Sequence, residues 1–300
     1  AVRGIGFAAH LLAILIVYWT NRRVNNASVL FSFLSGLYLV VGTGLSYVAA
    51  YFGTPVFALA AASTWTLGLL LIQKEDSPFW LSLAFALSGL VTGLIRPEGV
   101  ILASLMLLAV IVMRGLKKSI SIIVIFGAVF LVLGGAYFIW RWNYFGYPLP
   151  NPFYKKGGSA LHWDSFNGSL LNTLRLCLPM VIAFILGFRS RETTKQTLAY
   201  LIPILGFASA FILISDEMNY GARFQYALVP IALMSWTPLA GGLRFSWPDQ
   251  LSVRERSVHF IALIVLSASL VYYSWFQNCF LTSYQQTCTT AYERDGRYEM

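Results

Sequence analysis

Charged residues are scarce in this 300-residue chain: Asp, Glu, Lys and Arg make up 11% of it, whereas 58% of its residues are hydrophobic. A soluble domain carries about 25% charged residues, so the composition excludes a soluble globular protein. The formal charge is +9. No basic run exceeds two residues, which excludes the basic stripe of a nucleic-acid-binding protein. The sequence therefore predicts an integral membrane protein.

Cysteines, metal ligands and repeats are also few. Of three cysteines, Cys279 and Cys288 share the C-terminal tail, where both a disulfide and two free thiols remain open. His162 and Asp164 have no third ligand at metal-binding spacing, so neither a metal site nor a cofactor is evident, and a requirement for a divalent metal stays open. No internal repeat supports the inverted-repeat architecture of many transporters.

Long apolar runs dominate the chain instead. A spanning helix needs ~20 largely apolar residues, and about ten segments approach this length. We predict an all-α polytopic helix bundle over residues 1–276 and an extracytoplasmic tail over residues 277–300. The first run lacks the basic region and cleavage site of a signal peptide. The predicted spans are 4–20, 28–51, 54–73, 78–95, 99–113, 119–140, 170–188, 197–214, 225–242 and 258–276.

When successive loops are assigned alternately to the two sides of the membrane, the basic residues divide into two sets. The richer side should be cytoplasmic by the positive-inside rule. The irregular segments 51–55, 95–99, 140–158 and 215–226 all fall on the other side, as an outward-facing active site would require. The predicted cytoplasmic set is Arg22, Arg23, Lys74, Arg114, Lys117, Lys118, Arg189, Arg191, Lys195, Arg244, Arg254 and Arg256; the outer set is Arg3, Arg96, Arg141, Lys155, Lys156, Arg175, Arg223, Arg294 and Arg297.

The segment IRPEGV contains a charged residue at membrane depth. Pro97 and Glu98 suit the first turn of the following helix, and one interpretation is a helix start with an Arg96–Glu98 ion pair. Ionisable residues at membrane depth are costly and by default functional. The planar fork of Arg96 also matches the oxygens of a phosphate. The sequence leaves both interpretations open.

The segment DEMNYGARFQYALVP offers a second candidate anion site. Gly221 permits a sharp turn, and Arg223 then lies at the start of an apolar helix, where the helix N-terminus favours an anion. The alternatives are an ion pair of Arg223 with Asp216 or Glu217, or contact with lipid headgroups. We expect Arg223 to contact a phosphate or a sugar.

The segment WRWNYFGYPLPNPFYKKGG combines interface residues with presented polar groups. Its Trp and Tyr residues are typical of an aromatic belt at headgroup level. Its three prolines, Pro148, Pro150 and Pro152, stiffen an extended outer loop, which would present Asn151, Tyr154 and Lys155. Lys155 and Lys156 could equally bind anionic headgroups.

In this order the motifs resemble those of the bacterial GT-C glycosyltransferases, which use a polyprenyl-phosphate sugar as donor. The chain looks most like the terminal arabinofuranosyltransferase-type members of mycobacteria and their relatives. The resemblance extends from about residue 40 to about residue 235. The four motifs that carry it are Gly53-Thr54-Pro55 with Phe57, RPEG at 96–99, RWNYFGYPLPNPFYK at 141–155 and Arg-Phe at 223–224.

The resemblance implies a GT-C-like fold and sugar transfer to a cell-envelope glycan or lipid acceptor at the outer face of the bacterial inner membrane. Partners would be membrane lipid, the polyprenyl-phosphate sugar and the glycan acceptor. Basic residues would neutralise the donor phosphate, and tyrosines would pack on the sugar or the prenyl chain. The implied substrate-binding residues are Arg96, Glu98, Tyr144, Asn151, Tyr154, Lys155 and Arg223.

The expected catalytic base departs from the family pattern. The family carries an aspartate in the first outer loop, which here would lie upstream of Ala1, and Glu98 is the candidate within the chain. Gly53 stands where an acidic residue is expected. We therefore expect the chain to be an N-terminally truncated fragment.

Two alternative functions stay open. A flippase or transporter of lipid-linked sugars would need polar groups near the membrane midplane, whereas the charges here lie at helix ends. An inactive membrane partner in envelope assembly is favoured by the missing acidic loop.

Overall fold

The computed structural model describes residues 2–50, 52–76, 78–147, 161–213 and 219–240, and positions 264, 265, 268, 269, 272 and 273. Every regular element in these ranges is helical, which confirms the all-α prediction for the described part of the chain. The helices are α1 (Val2–Trp19), α2 (Val29–Val41), α3 (Gly44–Ala49), α4 (Thr54–Gln73), α5 (Phe79–Ile95), α6 (Glu98–Arg114), α7 (Leu116–Val129), α8 (Gly135–Phe145), α9 (Trp163–Leu176), α10 (Leu178–Leu186), α11 (Arg191–Ser209) and α12 (Leu228–Leu239).

Wider helical turns join some of these helices into longer rods. Thr20–Val24 extends α1, and Phe130–Gly134 joins α7 to α8. Five rods are long and apolar enough to cross a membrane, as expected of a multi-pass membrane protein. Ten spans are not shown in the described residues: α5 and α12 are shorter apolar helices, α9 and α10 meet at a sharp bend, and most of the predicted span 258–276 lies outside the described residues. The five rods are Val2–Val24, Val29–Ala49, Thr54–Gln73, Leu116–Phe145 and Arg191–Leu213.

Two predicted boundaries are wrong. The segment 170–188 is not one straight span, because α9 and the segment Leu178–Arg189 meet at 84°. Pro179 lies in the first turn of α10, and it lacks the N–H that a continuous helix would need. The span predicted to end at residue 140 instead continues to Phe145, where Gly146 caps the helix with φ 76°. The first aromatic residues of the segment 140–158 are therefore helical rather than part of a loop.

Two helices form the centre of the bundle. Helix α4 packs against α1, α5, α6 and α12. Every residue of α12 is buried except Pro238. Small residues allow close packing, since a methyl group on Gly89 of α5 would lie 3.2 Å from Ala103 of α6.

A buried asparagine at the extended end of α1 ties that helix to α2 and α12. Asn21 is fully buried. Its Nδ2 donates to Ser35 Oγ at 3.1 Å and to the Leu233 carbonyl at 2.9 Å. Its Oδ1 accepts from Thr237 Oγ1 at 3.1 Å and from Asn25 Nδ2 at 3.0 Å. The amide therefore forms four hydrogen bonds, which is its full capacity.

The two ends of the bundle differ in character. At one end Arg114 donates to the carbonyls of Leu71, Lys74 and Glu75, and Lys195 Nζ donates to the Met113 carbonyl at 3.0 Å. These cations cap the carbonyl ends of α4 and α6, where the helix dipole favours positive charge. The 17 residues of α6 separate this end from Glu98 by about 26 Å.

We expect Asn21→Ala to lower the free energy of unfolding by about 1–3 kcal/mol, because it leaves buried partners of Asn21 unsatisfied. Thermal unfolding of the purified protein in detergent would measure the loss. Asn167 is exposed on α9, so Asn167→Ala is the matched control and should unfold like the parent. Equal unfolding temperatures for both variants would contradict the structural role of Asn21.

Candidate functional site

The first part of the site is the turn between α5 and α6. Arg96 is extended, with φ −146° and ψ 132°, because a residue before proline is pushed out of the helical region. Pro97 precedes the first residue of α6. Arg96 Nη2 lies 3.4 Å from Glu98 Oε1, and both side chains are about one-fifth exposed. The predicted Arg96–Glu98 ion pair is therefore present.

Gly99 explains why this turn is so tight. A methyl group at this position would lie 2.2 Å from the carbonyl oxygen of Thr92 and 2.6 Å from its carbon. These are backbone atoms of α5, so no side-chain rotation could relieve the clash. The absence of a side chain at Gly99 lets α6 start directly against the last turn of α5 and sets the position of Arg96.

The second part of the site is the loop before α12. Gly221 has φ 66°, which confirms its predicted role in a turn, and Ala222 follows with φ 56°. An L-residue with a Cβ pays about 1–2 kcal/mol for this left-handed conformation. Tyr47 Oη donates to the Gly221 carbonyl, and Asn219 Oδ1 accepts from the Phe224 N–H at 3.0 Å. These bonds hold the loop that presents Arg223.

The two parts meet at one aromatic ring. The guanidinium carbon of Arg96 lies 4.5 Å from the ring centroid of Phe224, and that of Arg223 lies 5.1 Å from the same centroid. The two guanidinium carbons are therefore at most 9.6 Å apart, the two distances taken together. Residues 127 positions apart in the sequence thus form one cationic site, which we call the arginine pair.

Two further rings complete the site. Phe57 of α4 lies 5.3 Å from the Arg96 guanidinium carbon, and Phe52 lies 4.2 Å from that of Arg223. Both belong to the segment YFGTPVF that opens α4, so three of the four sequence motifs meet here. An aromatic face stabilises a cation by about 0.5–2 kcal/mol without adding negative charge. Glu98 brings one carboxylate to the site, where it pairs with Arg96.

A cluster of buried polar side chains lies beside Phe52. The ring of Tyr47 is tilted against Phe52, with centroids 6.4 Å apart, and packs edge-on against Tyr226, with centroids 5.0 Å apart. A methyl group on Gly44 would lie 2.5 Å from both Tyr226 Oη and His10 Nδ1, so these two atoms are within 5.0 Å of each other. His10 Nε2 and Tyr226 Oη are buried and have no hydrogen-bond partner among the described residues.

The other predicted site residues have different outcomes. Tyr144 lies on α8, 71% exposed, and its ring packs against Trp140 and Phe145; these contacts do not bring it to the arginine pair. Asn151, Tyr154 and Lys155 lie outside the described residues, as do Asp216, Glu217, Cys279 and Cys288.

Packing does not require glycine at position 53, where the family resemblance leads us to expect an acidic residue. A methyl group there would have no atom within 4 Å, and the backbone does not need glycine, since φ is −71°. The position next to Phe52 is therefore open enough for the acidic side chain that the family resemblance places there.

Sequence reasoning missed the residues that join the motifs. Phe57 and Phe224 belong to the sequence motifs, but nothing marked their rings as contacts of the arginines, and Phe52 read as an ordinary apolar residue. His10, Gly44 and Tyr226 gave no signal, because they come together from three separate helices or loops. Among the described residues, no group of three His, Cys, Asp or Glu side chains could hold a metal ion.

Comparison with protein-family models, with curated proteins and with solved structures gives no match. The site must therefore be interpreted from its own chemistry.

We expect Gly99→Ala to displace Arg96 and to lower thermal stability strongly, because its methyl group would overlap the Thr92 carbonyl. Overpacking of this kind typically costs about 1–3 kcal/mol. Gly127→Ala is the matched control, because a methyl group on Gly127 of α7 would meet no atom within 4 Å. It should be neutral or slightly stabilising. Unfolding in detergent measures both, and a Gly99→Ala protein as stable as the parent would contradict the close packing.

Proposed function

We propose that this chain is a GT-C-type membrane glycosyltransferase. It would transfer a sugar from a polyprenyl-phosphate donor to a cell-envelope glycan or lipid acceptor at the outer face of the bacterial inner membrane. The observation that carries the proposal is the arginine pair: Arg96 and Arg223 both lie against the ring of Phe224, at 4.5 and 5.1 Å.

A phosphate is the anion that this arrangement suits best. Arginine donates in a planar fork that matches phosphate oxygens two at a time. We expect the two guanidiniums, which are at most 9.6 Å apart, to contact different oxygens of one phosphate. The rings of Phe52, Phe57 and Phe224 hold the guanidiniums in place and carry no charge themselves. Glu98 pairs with Arg96.

The surroundings favour a phosphate that is carried by a lipid. The arginine pair lies at the end of a bundle with five rods suited to cross a membrane, where lipid phosphates also lie. The opposite end carries Arg114 and Lys195, whose side chains cap helix carbonyls. We assign that end to the cytoplasm by the positive-inside rule, so the arginine pair would face outward.

The chemistry then follows from charge. An acceptor hydroxyl loses its proton to a carboxylate base as its oxygen bonds to the anomeric carbon of the donor sugar. The bond between that carbon and the phosphate oxygen breaks, and its electron pair stays on the phosphate. The arginine pair stabilises this developing charge, as preorganised donors do in acyl and phosphoryl transfer. Glu98 is the carboxylate that lies at the arginine pair.

The variants Arg96→Lys and Arg223→Lys test the phosphate assignment, because lysine keeps the charge but loses the planar fork. We expect each to reduce retention of polyprenyl phosphate about 10- to 100-fold, the loss of a charge-assisted hydrogen bond of about 1.5–3 kcal/mol. Native mass spectrometry of the protein in nanodiscs measures retention. Arg23 is exposed near the opposite end, so Arg23→Lys is the control.

Undiminished retention in both arginine variants would overturn the phosphate assignment. Polyprenyl alcohol, which has the same chain without phosphate, should be retained equally by parent and variants. Transfer is then measured in membranes supplied with polyprenyl-phosphate pentoses and hexoses and with envelope acceptors. If the parent binds polyprenyl phosphate but transfers no sugar, the inactive-partner alternative is favoured over the enzyme.

The variant Glu98→Gln distinguishes two possible roles of Glu98, as the catalytic base or as a residue that only orients Arg96. If Glu98 is the base, this variant should lose transfer and still retain polyprenyl phosphate, because glutamine preserves the shape of the side chain but cannot accept the proton. If Glu98 only orients Arg96, transfer and retention should fall together. Transfer at the parental rate would exclude both roles.

A further inference from the structure

The helix α9 has an unusual distribution of side chains around its axis. The residues buried against the protein are Ser165, Ser169, Thr173 and Leu176, so this face is largely polar. Three large apolar residues, Trp163, Leu171 and Leu174, are instead 59%, 52% and 48% exposed. A helix on a protein surface in water shows the opposite arrangement, with its apolar stripe toward the core.

Two flanks border the buried face of α9. At about 100° per residue, one flank carries Trp163, Phe166, Leu170 and Leu174, within an arc of about 80°. We call this the apolar flank. The opposite flank carries Asp164, Gly168, Asn172 and Arg175, again within about 80°, and we call it the polar flank. The two flanks face in nearly opposite directions, with the buried face between them on one side and the exposed residues Asn167 and Leu171 between them on the other.

The packing of α9 sets its direction. It contacts α11, the turn Ala210–Leu213 that ends the α11 rod, and the turn Tyr220–Ala222. The His162 N–H donates to the Ile212 carbonyl at 2.8 Å. Helix α9 therefore lies across the end of the bundle that carries Arg223. The chain then turns by 84° into α10, which packs along α12.

From this geometry we propose that α9 lies in the plane of the membrane surface. Its apolar flank enters the boundary between headgroups and acyl chains, and its polar flank faces water, as in interfacial amphipathic helices. Its partner is a lipid surface. This inference does not depend on the proposed enzyme activity.

Lipid is favoured as the partner because the apolar surface continues past the bend. On α10, Leu178, Ile182 and Ile185 are 43%, 43% and 64% exposed, as expected of a helix whose outer face meets acyl chains. The polar flank carries Asp164 and Arg175, which a buried protein contact would have to pair. At a membrane surface, water solvates the polar flank and hydrocarbon surrounds the apolar flank, so neither flank needs a protein partner.

Nitroxide labels on single cysteines test the orientation. The background is the full chain with Cys177→Ala, Cys279→Ala and Cys288→Ala, reconstituted in vesicles of phosphatidylethanolamine and phosphatidylglycerol. Labels replace Trp163 and Leu174 on the apolar flank, which are both exposed, and Asp164 and Asn172 on the polar flank. Electron paramagnetic resonance then compares collisions with oxygen, which concentrates in the bilayer, and with a water-soluble nickel chelate. Ile185 on α10 is the lipid control, and Glu192 at the start of α11 is the water control.

The expected ratio of oxygen to nickel collisions at Trp163 and Leu174 matches that at Ile185, and the ratio at Asp164 and Asn172 matches that at Glu192. Three results would overturn the proposal: both flanks matching the water control, both matching the lipid control, or an apolar flank that neither reagent reaches because protein covers it.

A second measurement uses the protein with its native cysteines, so it does not depend on whether the cysteine-free protein folds. Brominated lipids quench tryptophans that lie near acyl chains. The difference in fluorescence between the parent and Trp163→Phe gives the contribution of Trp163. We expect brominated lipids to quench this contribution strongly. Lipids brominated near the headgroup should quench it more than lipids brominated near the chain end. An unquenched Trp163 contribution would overturn the proposal.

Discussion

Polar groups inside this bundle must find their partners within the protein, because hydrocarbon around a spanning helix offers none. The central helix α12 shows the consequence most clearly, since nearly all its residues are buried. Ser235 Oγ accepts from Trp65 Nε1 at 3.1 Å, and Asn21 bonds both to the Leu233 carbonyl and to Thr237. Side-chain hydrogen bonds between helices specify which faces meet, where apolar packing alone would allow rotation and sliding. The rest of the architecture is arranged around this helix.

The arginine pair follows the same constraint with a different solution. A partly buried guanidinium needs compensation. The rings of Phe52, Phe57 and Phe224 supply part of it as cation–π contacts, and Glu98 supplies a carboxylate for Arg96. Arg114 at the other end has different surroundings, because it donates to three backbone carbonyls.

Local sequence rules predicted the parts of the site but not how they are joined. The Arg96–Glu98 pair and the turn at Gly221 follow from proline and glycine chemistry within a few residues. The contact of both arginines with the ring of Phe224 could not be predicted, because it depends on how α5 and the loop before α12 pack. The break at Cys177 was signalled by Pro179, but the hydropathy of 170–188 outweighed that signal. Helix α8 extended beyond its predicted end because aromatic residues form helix as readily as they form an interface belt.

The depth of the arginine pair can be argued from α9. Gln225 Nε2 donates to Ser169 Oγ at 2.9 Å, and Gln225 lies two residues after Arg223. With α9 in the plane of the membrane surface, this bond would hold the loop of Arg223 at the level of the headgroups. Arg96 would share that level, because it contacts the same ring. A transporter needs its polar site near the midplane, whereas an enzyme that takes a lipid phosphate from the bilayer needs it where the phosphate lies. The bond between Ser169 and Gln225 thus links the surface helix to the choice between these two functions.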